Sequence, residues 1–236
     1  MLLASFTVSA AGLLLLQAGA PYTPRIEPAS EEAAHAIQGF ALAKGLRVEV
    51  FAAEPRLANP VSFALDHDGT VFVAETFRHH QGVTDIRDHM DWLDDDLAAK
   101  TVEDRRAMMR KHEGANFDPG YGRAFEQVRR LVDRDGDSAA DEDTVFATGF
   151  ADHAAGIGAG LLSYRGDVYY TCIPDLWKLC DADGDGKAEL QTKLSSGYGV
   201  HVALLGHDCT ASSSGPTGGS TSPAAIAVST SRQRRA

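Results

Sequence analysis

Apolar and polar residues alternate in short runs along much of this chain, and the runs come in pairs joined at glycine. "VSFALDHDGTVFVAETF" (61–77) predicts strand, turn, strand. Period-two alternation gives each run one face for a core, and Asp68-Gly69 accepts the left-handed backbone of a tight hairpin. "GAGLLSYRGDVYYTCI" (158–173) has the same form, with Arg165-Gly166 at its turn. Ahead of these runs, residues 21–38 are a polar, proline-containing lead-in with a short helical candidate, "SEEAAHAI".

The alternation stops over residues 78–124, which predicts an insertion. "KTVEDRRAMMRKH" is its clearest helix, with Thr101 as N-cap and Asp104 three residues on, a start that resembles a capping box. "HHQGVTDIRDHMDWLDDDLA" is polar and irregular and predicts a loop over one face. Its His79, His80 and His89 lack the spacing of a metal-ligand set.

A repeat organises the rest. Shifted by 48 residues, "DRDGDSAADEDTVFATGFADH" lies over "DADGDGKAELQTKLSSGYGVH". Asp133, Asp135, Asp137 and Asp141 then meet Asp181, Asp183, Asp185 and Glu189. Phe150 meets Tyr198 and His153 meets His201, outside the acidic part, so the match is more than shared turn composition. Short strands repeating at this period predict an all-β protein built as a partial β-propeller with a helical and irregular insertion.

Each acidic segment offers carboxylates at i, i+2, i+4 and i+8. This matches the first half of an EF-hand, but Thr144 and Thr192 stand where the bidentate Glu belongs, and the flanks read as strands. Two readings stay open: oxygen ligands wrapping Ca²⁺, or a solvated hairpin turn rich in the usual turn residues.

Composition narrows the partners. The chain has 236 residues and a formal net charge of −11, and no segment concentrates the Lys and Arg that nucleic acid needs. "MLLASFTVSAAGLLLLQAGA" predicts a signal peptide over residues 1–20, cleaved after Ala20, and hence a periplasmic or extracellular protein. The alternative is a retained anchor, the only segment through which a membrane would be met. Cys172 and Cys180 could pair or stay as thiols. No Cys-x-x-Cys-His is present, so covalent haem has no site in the chain. Neither Gly-x-Ser-x-Gly nor His-Glu-x-x-His occurs, which disfavours a hydrolase.

"GLRVEVFAAEPRLANPVSFALDHDGTVFVAETF", "GVTDIRDHMDWLDDDLA", "TVEDR", "DLWKLCDADGDGKAE" and "GYGVHVALLGHD" together resemble the exported membrane-bound dehydrogenase family of planctomycete-type bacteria. That family is similar to the soluble quinoprotein glucose/sorbosone dehydrogenases. The resemblance covers roughly residues 40–208. It implies about half of a six-bladed ring over 39–208, and oxidation of a sugar or polyol with pyrroloquinoline quinone (PQQ) and calcium. An acceptor such as a cytochrome domain would take the electrons. It also implies that His207 is the general base on the sugar hydroxyl, with Asp208 its neighbour, because a near-neutral histidine suits that proton transfer.

After Asp208 the pattern of the family stops, and residues 209–236 predict a non-native or disordered tail. Read one base earlier from the last base of the Asp208 codon, the bases these residues require permit "LHGLVVGPDGRLYF…GDRG". That is the continuation the resemblance implies. The expectation is a single-base deletion after that codon and a truncated, inactive chain. The alternative function is a non-catalytic, calcium-braced propeller that binds carbohydrate or a protein partner.

Overall fold

The computed structural model describes residues 22–202, 204 and 205, together with the backbone of two short strands at 211–214 and 226–229. Two antiparallel four-stranded meanders form its body. The first contains β1 (Pro60–Leu65), β2 (Val71–Thr76), β3 (Glu126–Val132) and β4 (Glu142–Phe150), in that spatial order. The second contains β5 (Gly160–Tyr164), β6 (Asp167–Cys172), β7 (Asp175–Cys180) and β8 (Leu190–Ser196), again in order. β9 (Ala211–Ser214) and β10 (Ile226–Ser229) pair with each other, and β5 lies beside β1 and beside β9. Among the described residues these sheets do not close into a ring or a propeller arrangement.

The glycine turns behave as their sequence requires. Gly69 has φ 90°, and Arg165 and Gly166 have φ 55° and 82°, so each hairpin reverses in the left-handed region. Register follows the repeat at one step: the β3–β4 pairing slips between Val128 and Arg129, and the β7–β8 pairing at the equivalent step between Leu176 and Trp177, while the slip between Glu126 and Gln127 has no counterpart in the second sheet. These equivalent bulges place Phe146 and Leu194 as the extra residues of their strands.

The sheets pack face to face. Ala64, Phe72, Ala74, Val128 and Phe146 of the first meet Leu161, Val168, Tyr170 and Leu179 of the second in one core. The opposite face of the first sheet presents Val71, Val73 and Leu131, which the segment just before β1 covers with Phe51, Ala52 and Leu57. Its remaining apolar positions, Phe63 and Leu65, stay 67% and 63% exposed.

The insertion occupies residues 77–125, between β2 and β3. It carries α2 (Leu93–Ala98), α3 (Val102–Glu113) and α4 (Phe117–Tyr121), with α1 (Glu32–Ile37) ahead of the sheets in the lead-in. Thr101 accepts from the Asp104 backbone N–H while the Asp104 carboxylate accepts from that of Thr101, a full capping box that opens α3. The polar stretch before it is more ordered than its sequence predicts, because Trp92 is buried with Met108, Met109, Phe117 and Tyr121 in a core of its own. Among the described residues no helix is long and apolar enough to cross a membrane. Cys172 and Cys180 are not joined, since they stand at opposite ends of the β6–β7 pair: Cys180 lies across from Asp167 and Cys172 from Asp175.

Candidate functional site

An antiparallel meander sorts its connections to two ends. One end holds the hairpin turns and the two acidic loops, β3–β4 and β7–β8. The other holds the insertion, the β4–β5 link, the Ile173-Pro174 turn and the segment that follows β8. The eight predicted metal-ligand residues all belong to the first of these ends.

The acidic loops have the same internal architecture. Asp133 accepts from Gly136 N (2.7 Å) and Ser138 N (2.9 Å), and Asp181 accepts from Gly184 N (2.7 Å) and Gly186 N (2.9 Å). Asp135 accepts from Asp137 N and Asp183 from Asp185 N, at 3.2 and 3.1 Å. Asp137 and Asp185 accept from Ala139 N and Lys187 N, each at 2.8 Å. Finally Asp141 accepts from Arg134 N (2.6 Å) and Glu189 from Ala182 N (2.8 Å). Each loop is thus wound by its own carboxylates, as Asx turns are.

Their capacity for a cation differs. Oxygens of Asp181, Asp183, Asp185 and Glu189 converge within 4.8 Å of one another; in the first loop Asp133, Asp135 and Asp141 do so, without Asp137. Hard cations take such oxygen sets. The first loop also has cations of its own chain close by: Arg134 grips Glu142 with two bonds, and Arg56 lies 3.6 Å from Asp143. At the position of Arg134 the second loop has Ala182, and its own cation is Lys187, 3.8 Å from Asp185.

At the other end the insertion holds the chain that leaves β8. Asp96, buried on α2, accepts from Val202 N at 2.8 Å, and its backbone carbonyl accepts from His201 Nδ1 at 2.8 Å. Asp85, also buried, accepts from Leu205 N at 2.9 Å and from the Arg87 guanidinium, which holds its carboxyl well below the usual range. His153, the repeat partner of His201, pairs with Asp118 at 3.0 Å and stacks on Phe117. Both repeat histidines therefore face the insertion. His89 stacks on Trp92, apart from the His79–His80 pair, so the three histidines do not form one ligand set.

Beside this clamp lies a cavity of about 470 Å³, lined among others by His80, Asp88, Glu113, Asn116, Tyr121 and Leu205. Tyr121 donates to Glu113 Oε1 at 3.0 Å, and burial pushes the Tyr121 hydroxyl up to about 12. Below it the fully buried Arg78 donates to the carbonyls of Tyr121 and Ala124, both at 2.9 Å, and to those of Gly82 and Ala155. Glu126, at 0% exposure, accepts from Thr76 Oγ1 (2.6 Å) and Gly158 N (3.2 Å). Burial raises its pKa to about 8, against the pull of those bonds and of Arg78.

Sequence reasoning missed Asp85, Asp96, Arg78 and Glu126. The one signal available was charge at the ends of apolar strands, as in "FVAETFR", where a charged residue inside a core-forming run needs buried partners. The predicted pair His207 and Asp208 lies outside the described residues, two positions beyond Leu205. All eight predicted metal-ligand residues are described, and the two loops bring seven of them together, all but Asp137. A family model described as "Domain of unknown function (DUF7133)" matches residues 32–213. No curated protein and no solved structure matches the chain.

Proposed function

The chain belongs to the family described as Domain of unknown function (DUF7133), and we propose that it is the propeller part of an exported, quinoprotein-type dehydrogenase acting on a sugar or polyol. In this reading the two meanders are consecutive blades, and their first strands β1 and β5 lie side by side as innermost strands would. The observation that carries it is the hold on Val202 and Leu205 beside a polar cavity: Asp96 and Asp85 fix their backbone N–H groups, on the chain that leads to His207. A general base needs such a fixed approach. Calcium, at the opposite end, braces the strand pairs and takes no part in proton transfer.

PQQ is a polycarboxylate, and the described residues do not fit it. The cavity wall carries Asp85, Asp88 and Glu113, while Arg78 and Arg87 are already committed to carbonyls and to Asp85. Quinone contacts would have to come from residues beyond those described, and this chain by itself is inactive in the proposal. The test is dye-linked oxidation of glucose and sorbitol with added PQQ and Ca²⁺. The expected result is no turnover by the 236-residue chain and turnover by the product with one base restored after the Asp208 codon. Absence of turnover and of PQQ binding in both would defeat the proposal.

The misfit with PQQ favours one second reading, a non-catalytic, calcium-braced propeller that binds carbohydrate or a protein partner. It expects ligand binding with no oxidation in either product.

A further inference from the structure

We infer that residues 46–50, with the apolar groove they line, form an interface for a second copy of this chain, made by pairing the segment with itself as an antiparallel ribbon. The surface lies ahead of β1, and the inference depends on neither carbohydrate nor quinone.

The segment "LRVEV" has the alternation of a strand without a strand's partners. Arg47 and Glu49 share one side, where Arg47 Nη2 lies 3.3 Å from Glu49 Oε2. Val48 and Val50 are half-buried and both line the groove. Side chains two apart that share a face are the mark of an extended backbone. Among the described residues, the backbone N–H and C=O groups of residues 47–50 form no hydrogen bond, and pairing with the chain resumes only where Ala140 N donates to the Phe51 carbonyl at 2.8 Å. An extended edge with free backbone groups is a template for a further strand.

The groove gives that edge an apolar floor. Its volume is about 750 Å³, and Ile37, Phe40, Val48, Val50, Phe63 and Leu65 line it. Leu46 adds to this surface and is as exposed as Phe63, at 67%. Contiguous apolar surface of this kind marks an interaction site, where singly scattered residues would not.

Charge decides the occupant. Antiparallel self-pairing centred on Val48 sets Arg47 across from Glu49 of the second copy, twice by two-fold symmetry, and Leu46 across from Val50. A slip of one residue in either direction sets both charges against apolar residues. A slip of two sets Arg47 against Arg47 or Glu49 against Glu49. Unlike charges directly opposite stabilise a strand pair and like charges destabilise it, so a single register is favoured. In that register Leu46, Val48 and Val50 of both copies share the groove side, and the four charges share the solvent side.

Sedimentation velocity on the full chain tests this. A concentration-dependent dimer in the micromolar range is expected. Glu49→Arg and Arg47→Glu each set like charges opposite one another twice and should weaken the dimer about tenfold. The double variant should restore it. An equimolar mixture of the two single variants should dimerise as the parent does, because every charge then meets its opposite on the other chain. Both side chains are exposed, so neither change removes a core contact, and circular dichroism checks that the variants fold.

A monomeric parent overturns the inference, as does a dimer that both single variants leave intact. Failure of the mixture to pair also overturns it, since association would then use another surface. A monomeric parent that binds phosphatidylcholine vesicles, and loses that binding in Phe63→Ser, would assign the groove to lipid instead.

Discussion

The two meanders share strand order, hairpin turns, bulges and loop winding, yet equivalent positions hold opposite chemistry. In the first sheet Glu75 lies across from Gln127, and in the second Cys172 lies across from Asp175. Arg129 pairs opposite Val73 where Trp177 pairs opposite Tyr170. The first sheet thus keeps a buried ion pair, Arg129 Nε to Glu75 Oε1 at 2.8 Å, at positions the second fills with a thiol and an indole. Context explains the difference. The second sheet turns these positions toward the first sheet, and Trp177 meets Phe150 there at 5.2 Å. The first sheet turns them toward the segment just before β1, where Glu75 also accepts from Ala58 N at 2.7 Å. One backbone pattern tolerates either solution, provided that buried charge finds partners.

Breaking the ion pair should have the largest effect. Glu75→Ala leaves Arg129 with Asp143 alone, at 3.0 Å, and strands the Ala58 N–H and the Gln127 amide that Glu75 accepted from; it is expected to cost about 2–3 kcal/mol, against about 1 kcal/mol for Cys172→Ala. Urea unfolding measures both, and equal losses would show that the two positions are not distinguished by charge.

Titration separates the sheets next. Pro174 stands at the position of Glu126, so only the first sheet has an ionisable group there. Burial raises Glu126 to about 8, so the folded state retains a proton that the unfolded state releases near 4.5. Its contribution is complete below the unfolded value and falls as pH rises toward 8, with a slope of up to about 1.4 kcal/mol per pH unit. Glu126→Gln should flatten that slope, which urea midpoints at several pH values would reveal.

The acidic loops sharpen the comparison further. Calcium should bind the second loop first, because it converges four carboxylates rather than three and lacks an equivalent of Arg134. Calorimetry is expected to lose the tighter event in Asp183→Asn and the weaker one in Asp135→Asn, and EDTA should lower Tm. The smallest effect belongs to Ser138 and Gly186, with φ 75° and 87°. Ser138→Gly should stabilise by about 0.5–1 kcal/mol, and Gly186→Ser should destabilise by about 1 kcal/mol. In the latter the new side chain also meets the Arg130 guanidinium, 3.2 Å from its Cβ position. Thermal unfolding of both variants checks the pair.

Local signals carried much of this fold. Asp68-Gly69 and Arg165-Gly166 marked the hairpins, Thr101 with Asp104 marked α3, and the 48-residue shift marked the paired loops. Each depends on residues close in sequence, where backbone conformation and spacing decide the outcome. The clamp at the insertion end was not legible, because Asp85 meets Leu205 and Asp96 meets Val202 across more than a hundred residues. Nothing in "VTDIRD" or "WLDDDLA" says which carboxylate will be buried, since that depends on where β8 releases the chain. Arg78 was hidden for a similar reason: its four carbonyl partners come from two separate connections, the insertion and the β4–β5 link.

The insertion occupies a place that in the second sheet is a turn of two residues. Closing a loop grows more costly only with the logarithm of its length, so between four and five doublings amount to about 3 kcal/mol. The β2–β3 pairing already holds the two ends together, and the insertion's own core of Trp92, Met108, Met109 and Phe117 offsets that cost. Such a connection behaves as a replaceable cassette. Its contents can be rewritten to reshape the cavity while the strands beneath keep their register.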